Sequence, residues 1–175
     1  MQRLAFADVE CPIARSLDQI GDAWSLLIIR NAFMGARHFH EFEQRLGIPT
    51  STLTRRLAQL CKHGIVIRRR YRSRPVRDAY VLTQKGLDLL PVVLSIAAWG
   101  NRWLSPRGID IMTVDAISGR RLVPTLVDRS TRRPIKPGNV ALAAGPKASA
   151  RLRRGLAKPQ VLGARHPNTT ERVAP

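Results

Sequence analysis

Hydroxyl groups and arginines lie along one face of a helix that the sequence predicts from Thr50 to His63. Leu53, Leu57 and Leu60 form the opposite, apolar face. A guanidinium can donate two hydrogen bonds to guanine in the major groove, so Arg55 is predicted to contact a base edge. The remaining members of the predicted contact set on this helix can reach bases or phosphates, and they are Thr50, Ser51, Thr52, Thr54 and Arg56.

Six more arginines follow within Arg68–Arg77, in the arm of a predicted β-hairpin. Apolar residues on either side of the arm predict its two strands, and Ser73-Arg74-Pro75 forms the loop. Alternate side chains on a strand point to opposite faces, so the six cannot all touch one duplex. Those nearest the loop, Arg72, Arg74 and Arg77, are predicted to contact the DNA backbone or minor groove. A solvated charged face is the alternative, and the adjacency of the two basic groups weakens it.

Short helices interrupted by glycine and proline must position these residues. A helix from Phe39 to Leu46, a Gly-Ile-Pro turn and the Thr50–His63 helix form a helix-turn-helix, and the hairpin forms its wing. The preceding helix, Asp22–Met34, is apolar around most of its girth and is predicted to lie at the centre of a bundle. The sequence therefore predicts a mainly α fold with a small β component.

The ends of this region carry further helices. One begins at Pro12, whose missing N–H costs nothing in a first turn. The other is predicted as one long helix, Gln84–Leu104, kinked by Pro91. It has more apolar surface than one core stripe requires, which predicts burial against a second copy of the chain.

The charge of the chain favours a polyanionic partner. It is +18 in total; residues 1–104 hold 16 basic and 8 acidic side chains, and residues 105–175 hold 14 and 4. Charge alone does not distinguish DNA from RNA or from an anionic membrane surface. The two cysteines indicate a reducing compartment rather than a disulfide scaffold. With no signal-peptide pattern and no apolar run of membrane-spanning length, we expect a cytoplasmic, nucleoid-associated protein without membrane contact.

The composition changes after residue 104. VDAISGRRLVP from Val114 and VDRSTRRPIKP from Val127 form a 13-residue repeat, which predicts two hairpin-like arms. We predict a DNA-binding and dimerisation domain at 1–104, a small β-rich extension at 105–143, and a flexible basic tail at 144–175.

The residues CPIARSLDQIGDAWSLLIIR, RHFHEFEQRL, LTRRL and YVLTQKG, in that order, resemble the HxlR-type winged helix-turn-helix transcriptional regulators, which are related to the MarR group. The resemblance covers roughly residues 9–104. It implies a dimeric DNA-binding repressor or activator whose first and last helices form the subunit interface. Two positions depart from the family pattern: Pro49 stands where relatives often have a serine cap, and Cys61 where they usually have a charged residue.

Cys11 is a possible redox sensor. It lies at a predicted helix N-terminus, where the helix dipole and Arg15 favour a thiolate, although Asp8 and Glu10 oppose it. Some HxlR-type proteins sense oxidants through a cysteine near this position, so the resemblance makes sensing possible. We favour the alternative, an unreactive thiol near the subunit interface.

Other chemistry has little support in the sequence. His38 and His40 have no partner pair at metal-binding spacing, and His40 is predicted to cap the helix that follows. The arms after Val114 resemble a zinc-ribbon extension of some relatives but contain no cysteine. We predict no metal, no cofactor and no catalytic site.

The sequence therefore predicts a sequence-specific, dimeric regulator that binds double-stranded DNA. We assign it as a repressor. The sequence pattern does not determine the sign of regulation, the operator or the effector. The alternative is a structural RNA- or nucleoid-binding basic protein, supported by the basic C-terminal half. A thiol-based redox enzyme using Cys11 lacks a nearby resolving cysteine.

Overall fold

A computed structural model describes residues 6–73, 76–109 and 111–163, and the side chains of residues 71–77 lie outside this description. After a 3-10 turn at Phe6–Asp8, the elements follow in this order: α1 Pro12–Ile20, α2 Ala23–Phe33, α3 Phe39–Leu46, α4 Thr50–Lys62, β1 Val66–Ser73, β2 Val76–Leu82, α5 Gln84–Leu87, α6 Leu90–Trp103, β3 Ala141–Leu142, α7 Ala150–Gly155 and β4 Gln160–Val161. The predicted helix-turn-helix and its hairpin wing are confirmed. No helix in the described ranges is long and apolar enough to cross a membrane.

Local sequence signals set the helix ends. Pro12 occupies the first turn of α1. The Asp22 carboxylate accepts a hydrogen bond from the backbone N–H of Ser25 at 3.0 Å and caps α2. Helix α3 ends at Gly47, whose φ of 57° is left-handed and therefore favours glycine. These ends fix the short turn that joins α3 to α4.

The core of the first compact unit is built around α2, as predicted. Every residue from Trp24 to Phe33 is buried or half-buried. The apolar face of α4 packs into the same cluster, and Phe42 of α3 meets Tyr80 of the wing edge to face, with ring centroids 6.5 Å apart. The buried apolar residues are Ile20, Ile28, Ile29, Ala36, Phe42, Ile48, Leu53, Leu57, Leu60, Ile65 and Val66.

Two predictions about helices need correction. The predicted single helix Gln84–Leu104 is two helices, α5 and α6, separated at Asp88-Leu89. Pro91 lies in the first turn of α6, where it needs no N–H donor; within a continuous helix its ring would clash with the carbonyl of Leu87. In addition, His38 rather than His40 is the N-cap residue of α3.

The base of the wing is anchored to the helix that follows it. Thr83 donates its hydroxyl proton to the carbonyl of Gly64 at 2.6 Å and caps α5 by accepting from the N–H of Gly86 in its first turn. A side chain at Gly86 would collide with the carbonyl oxygen of Ile65, so the close approach requires glycine. The start of β1 is thereby held against α5.

The two halves of the 13-residue repeat form matching turns, one in each compact unit. In the first unit, Val114 bridges Arg121, and the Asp115 carboxylate accepts from the N–H of Ser118 at 2.7 Å. In the second, Val127 bridges Pro134, and Asp128 accepts from Thr131 at 2.6 Å. The predicted pair of hairpin-like arms is therefore present.

The compact units divide the chain differently from the predicted segments. They comprise residues 1–123 and 124–175, so the predicted extension at 105–143 belongs to both. Within the second unit, β3 pairs with β4 across the predicted boundary at 143/144, and α7 lies in the range predicted as a tail. Ser149 supplies the reason: its hydroxyl caps α7 by accepting from the N–H of Leu152 at 3.1 Å.

Candidate nucleic-acid interface

The exposed face of α4 is polar and carries no carboxylate. Ser51, Arg55, Gln59 and Lys62 recur at helical spacing along it, and all four are exposed. Within the described ranges, the guanidinium of Arg55 forms no hydrogen bond or ion pair. An unengaged guanidinium near the start of an exposed helix is what a contact to a guanine edge requires.

The hydroxyl groups predicted to contact DNA differ in their surroundings. Thr50 donates its hydroxyl proton to the Glu43 carboxylate at 2.5 Å, which ties the start of α4 to α3. Thr54 donates to the backbone carbonyl of Thr50 at 2.8 Å. Ser51 is exposed, whereas Thr52 is half-buried. The hydroxyl protons of Thr50 and Thr54 are therefore donated within the protein, and only the oxygen lone pairs remain to accept a hydrogen bond from a partner.

Arg56 points to a different side of α4 from Arg55. Its Nε lies 3.1 Å from Oδ1 of Asp22, and both side chains are only 18% exposed. Because Asp22 also caps α2, this ion pair connects α4 to the central helix of the bundle. Arg56 is predicted from the sequence as a DNA contact; Asp22 engages its guanidinium, and its role at DNA stays a prediction.

The stem of the wing carries an ion cluster. Arg68 and Arg70 lie on the same face of β1, and Arg70 is the register partner of Asp78 on β2. Two of the three guanidinium nitrogens of Arg68, Nε and Nη2, donate to Oδ2 of Asp78, with Nε at 2.8 Å, while Nε of Arg70 lies 4.0 Å from Oδ1. The hydrogen bond with Asp78 raises the pKa of Arg68. Asp78 thus partly neutralises the stem, whereas Arg69, on the other face, is exposed.

The arginines predicted to lead the wing contact lie at or beyond the limit of the description. The backbones of Arg72 and Arg77 are register partners, beyond an irregularity between Arg70 and Arg72 that is typical of a β-bulge. Their side chains, and Arg74 entirely, lie outside the described residues. Their role as DNA contacts stays a prediction.

Sequence reasoning missed the two aspartates that hold the interface. Asp22 was recognised as a helix cap, but no local pattern links it to an arginine 34 positions later. Asp78 is the one carboxylate in an otherwise basic hairpin. Counting back from the loop would have placed it opposite Tyr71, and the irregularity between Arg70 and Arg72 moves its register partner to Arg70. A lone acid among arginines in a hairpin was the usable signal.

The two cysteines occupy different environments. Cys11 is the N-cap residue of α1, is half-buried, and its carbonyl accepts from the N–H of Arg15. Cys61 lies on α4, where burial raises the pKa of its thiol despite the nearby charge of Arg68. A raised pKa keeps the Cys61 thiol protonated and disfavours reactivity at neutral pH. Within the described ranges, no group of three or more His, Cys, Asp or Glu side chains could hold a metal ion.

The helix-turn-helix, its wing and the basic face of α4 coincide with a known family. The family profile described as HxlR-like helix-turn-helix matches residues 19–108. The chain belongs to this family. It is therefore a helix-turn-helix transcriptional regulator and not an enzyme, as the sequence analysis predicted, and membership implies binding to DNA.

Individual relatives of this HxlR-like protein extend the similarity beyond residues 19–108. The uncharacterized HTH-type transcriptional regulator Rv3095 of Mycobacterium tuberculosis is 36% identical over 141 residues, which cover 80% of this chain and 89% of the relative. The solved structure of PA1374 from Pseudomonas aeruginosa, described as a candidate transcription factor, is 40% identical and covers 83% of this chain and 100% of its own, with a TM-score of 0.62. The solved structure of PA1607, described in the same way, is 32% identical with a TM-score of 0.73 and covers 79% of this chain and 98% of its own.

A redox protein is also among the similar structures. The redox regulator HypR in its reduced form is 34% identical and covers 54% of this chain and 96% of its own, with a TM-score of 0.50.

Proposed function

We propose that this regulator binds duplex DNA sequence-specifically, with α4 in the major groove and the wing on the backbone or in the minor groove. The observation that carries the proposal is the face of α4 on which Arg55 is exposed and unengaged among cations and hydroxyl groups. Its opposite face, Leu53, Leu57 and Leu60, is fully packed, so the helix has one orientation to offer. The Arg56–Asp22 pair fixes that orientation relative to α2.

The acting species in this proposal is a homodimer. Large apolar side chains are exposed on two helices: Ile13 and Leu17 on α1, and Trp99 and Trp103 on α6. A monomer rarely leaves so much aromatic and aliphatic surface in water, and a twofold axis would cover it with the same surface of a second copy. Two α4 helices would then read half-sites about one helical turn apart.

The basic charge also supports the alternative of a structural RNA- or nucleoid-binding protein. That alternative predicts equal affinity for all duplexes and little effect of changes on α4. The proposed regulator predicts a preferred sequence that depends on Arg55.

A thiol signal acting at Cys11 is a subsidiary proposal. It is supported by the half-buried position of Cys11 at the start of α1 and by the redox function that the name of HypR states for that protein. If it is right, an oxidant such as diamide changes the DNA affinity of the parent protein and leaves a C11S variant unaffected. An equal response of both proteins would remove Cys11 from the mechanism.

The experiment for the main proposal selects genomic fragments bound by the full chain and measures their dissociation constants against random duplex at fixed salt. We expect a preferred sequence and loss of the preference in R55A, with α-helical content unchanged. Equal affinity of the parent protein for selected and random duplexes would refute the proposal.

A further inference from the structure

The second compact unit has nine cationic side chains and one carboxylate in its described part, residues 124–163. The net charge of this part is therefore +8, which is unusual for about forty residues that form their own turns, helix and strand pair. Such an imbalance destabilises a small folded unit through self-repulsion unless a polyanion offsets it.

The single carboxylate is already in use. Asp128 accepts hydrogen bonds from the N–H groups of Ser130 and Thr131, at 3.1 and 2.6 Å, and these bonds lower its pKa. It holds the turn of the second arm. At the turn position occupied by Gly119 in the first arm, this arm has Arg132, with a left-handed φ of 58°. The arm thus carries Arg129, Arg132 and Arg133 beside one carboxylate, Asp128, which already accepts the backbone hydrogen bonds of the turn.

The arginines of α7 divide into one engaged and two free groups. Arg153 donates to the carbonyls of Pro146 and Ala148, at 2.8 and 3.0 Å, and so stiffens the segment before the helix. Arg151 and Arg154 are exposed, three positions apart and hence on neighbouring parts of the helix surface. Neither of them forms an ion pair with another residue of the described ranges.

The unit lacks the groups that read bases or stack on them. No Phe, Tyr or Trp occurs after residue 123, so there is no platform for unstacked bases of single strands. The two side-chain amides in the described part of the unit are engaged: the Asn139 amide accepts from the N–H of Lys136 and donates to the carbonyl of Pro134, and Gln160 donates to the carbonyl of Gly155. The unit offers cations for phosphates and little else.

We propose that residues 124–163 form a second DNA-binding surface that contacts backbone phosphates of the duplex without reading its sequence. This inference rests on the proposed function, because the winged helix delivers the unit to DNA. Tethering to a bound domain gives even weak phosphate contacts a high effective concentration. The unit would therefore add phosphate contacts to those made by α4 and the wing.

The test measures the dissociation constant of the full chain for a random-sequence duplex of forty base pairs as KCl is raised. Each phosphate contact contributes about 0.9 to the slope of log affinity against log salt. Loss of two contacts in R151Q/R154Q should lower that slope by about 1.8. The affinity of the variant relative to that of the parent protein should then be about 60-fold lower at 0.1 M KCl than at 1 M KCl. R151K/R154K, which keeps both charges, should retain most of the slope.

A matched control removes the same charge elsewhere. R15Q/R107Q changes two exposed arginines of the first compact unit and should leave the slope nearly unchanged. R129Q/R133Q makes the same test on the second arm and serves where the α7 variant loses helical content by circular dichroism. An equal loss in the control, an unchanged slope in both test variants, or tighter binding to an RNA hairpin than to the duplex would each overturn the inference.

The two proposals fail separately. Phosphate contacts strengthen binding to every duplex, so R151Q/R154Q should leave the ratio of selected-sequence to random-sequence affinity unchanged. R55A should lower that ratio. If R55A lowers the affinity ratio but the variants within residues 124–163 leave the salt slope unchanged, the proposed function stands and this inference is refuted.

Discussion

Replacing each of two adjacent arginines on α4 by alanine should impair different properties of the protein, DNA recognition for one and folding stability for the other. Arg55 is exposed and unengaged, whereas Arg56 forms an ion pair with Asp22 in which both side chains are 18% exposed. R55A should therefore change recognition and leave folding intact. R56A should mainly lower the free energy of unfolding.

The magnitudes follow from these environments. A bidentate arginine–guanine contact is worth about 1–3 kcal/mol of discrimination, so R55A should lower the ratio of selected to random affinity by roughly 5- to 150-fold. An exposed ion pair contributes about 0.2–1 kcal/mol to the free energy of unfolding, and breaking a buried one costs about 3–5 kcal/mol. At 18% exposure we expect about 1–2 kcal/mol for R56A, which is roughly 2–8 °C in Tm for a chain of this size.

The assay combines thermal unfolding by circular dichroism with fluorescence anisotropy on selected and random duplexes. D22N is the matched control, because asparagine still caps α2 while the charge of Asp22 is lost. In a double-mutant cycle, D22N and R56A should be less than additive in the free energy of unfolding. An R56A protein with the parent Tm and the recognition defect of R55A would refute the structural role of the pair.

Three further predictions concern stability, the wing and assembly. Hydrogen bonds from the N–H groups of Arg37 and His38 lower the pKa of Glu41 below its usual 4.5, so its stabilisation is present above that pH and lost as the pH falls through the lowered value. The difference in Tm between the parent and E41Q should be largest near pH 7 and shrink as the pH is lowered below 4.5, and a constant difference would count against it. D78N frees the Arg68 guanidinium, so random-duplex affinity should rise and the salt slope steepen by about 0.9, whereas weaker binding would show that the pair is needed to shape the wing. W99E should dissociate the proposed dimer in sedimentation velocity, because Trp99 is 57% exposed on α6, while V123E, at an exposed apolar residue outside the helices, should not.

The sequence was informative wherever the structure is local. Pro12, Asp22 and Gly47 mark helix ends by their own backbone and capping chemistry, and the 13-residue repeat predicted two equal turns. The break before Pro91 was read as a kink, because the clash with the Leu87 carbonyl is clear from sequence but its outcome depends on how α6 packs. Ser149 was overlooked as a cap since α7 is short and its surroundings look like a tail.

Non-local pairing limited the prediction of the site. Arg55 and Arg56 are the same residue type at adjacent positions, so residue type does not distinguish their roles. Only the packing of α4 on α2 brings Arg56 to Asp22. The periodicity of Leu53, Leu57 and Leu60 places Arg56 nearer the buried face, but it does not name its partner. The same holds for the wing, where register rather than composition gives Arg68 and Arg70 a shared carboxylate.

The few acidic residues and the many basic residues of the molecule have different roles. Carboxylates across the described chain hold backbone or side-chain donors in place: Asp22 caps α2, Glu41 binds the N–H groups before α3, Glu43 receives the Thr50 hydroxyl, Asp78 pairs with the wing stem, and Asp115 and Asp128 hold the two turns. Each of these six carboxylates is committed to local structure. A protein of net charge +18 arranged in this way keeps Arg55, Arg151 and Arg154 available to phosphates and bases, and acid would weaken its fold before it weakened its attraction to DNA.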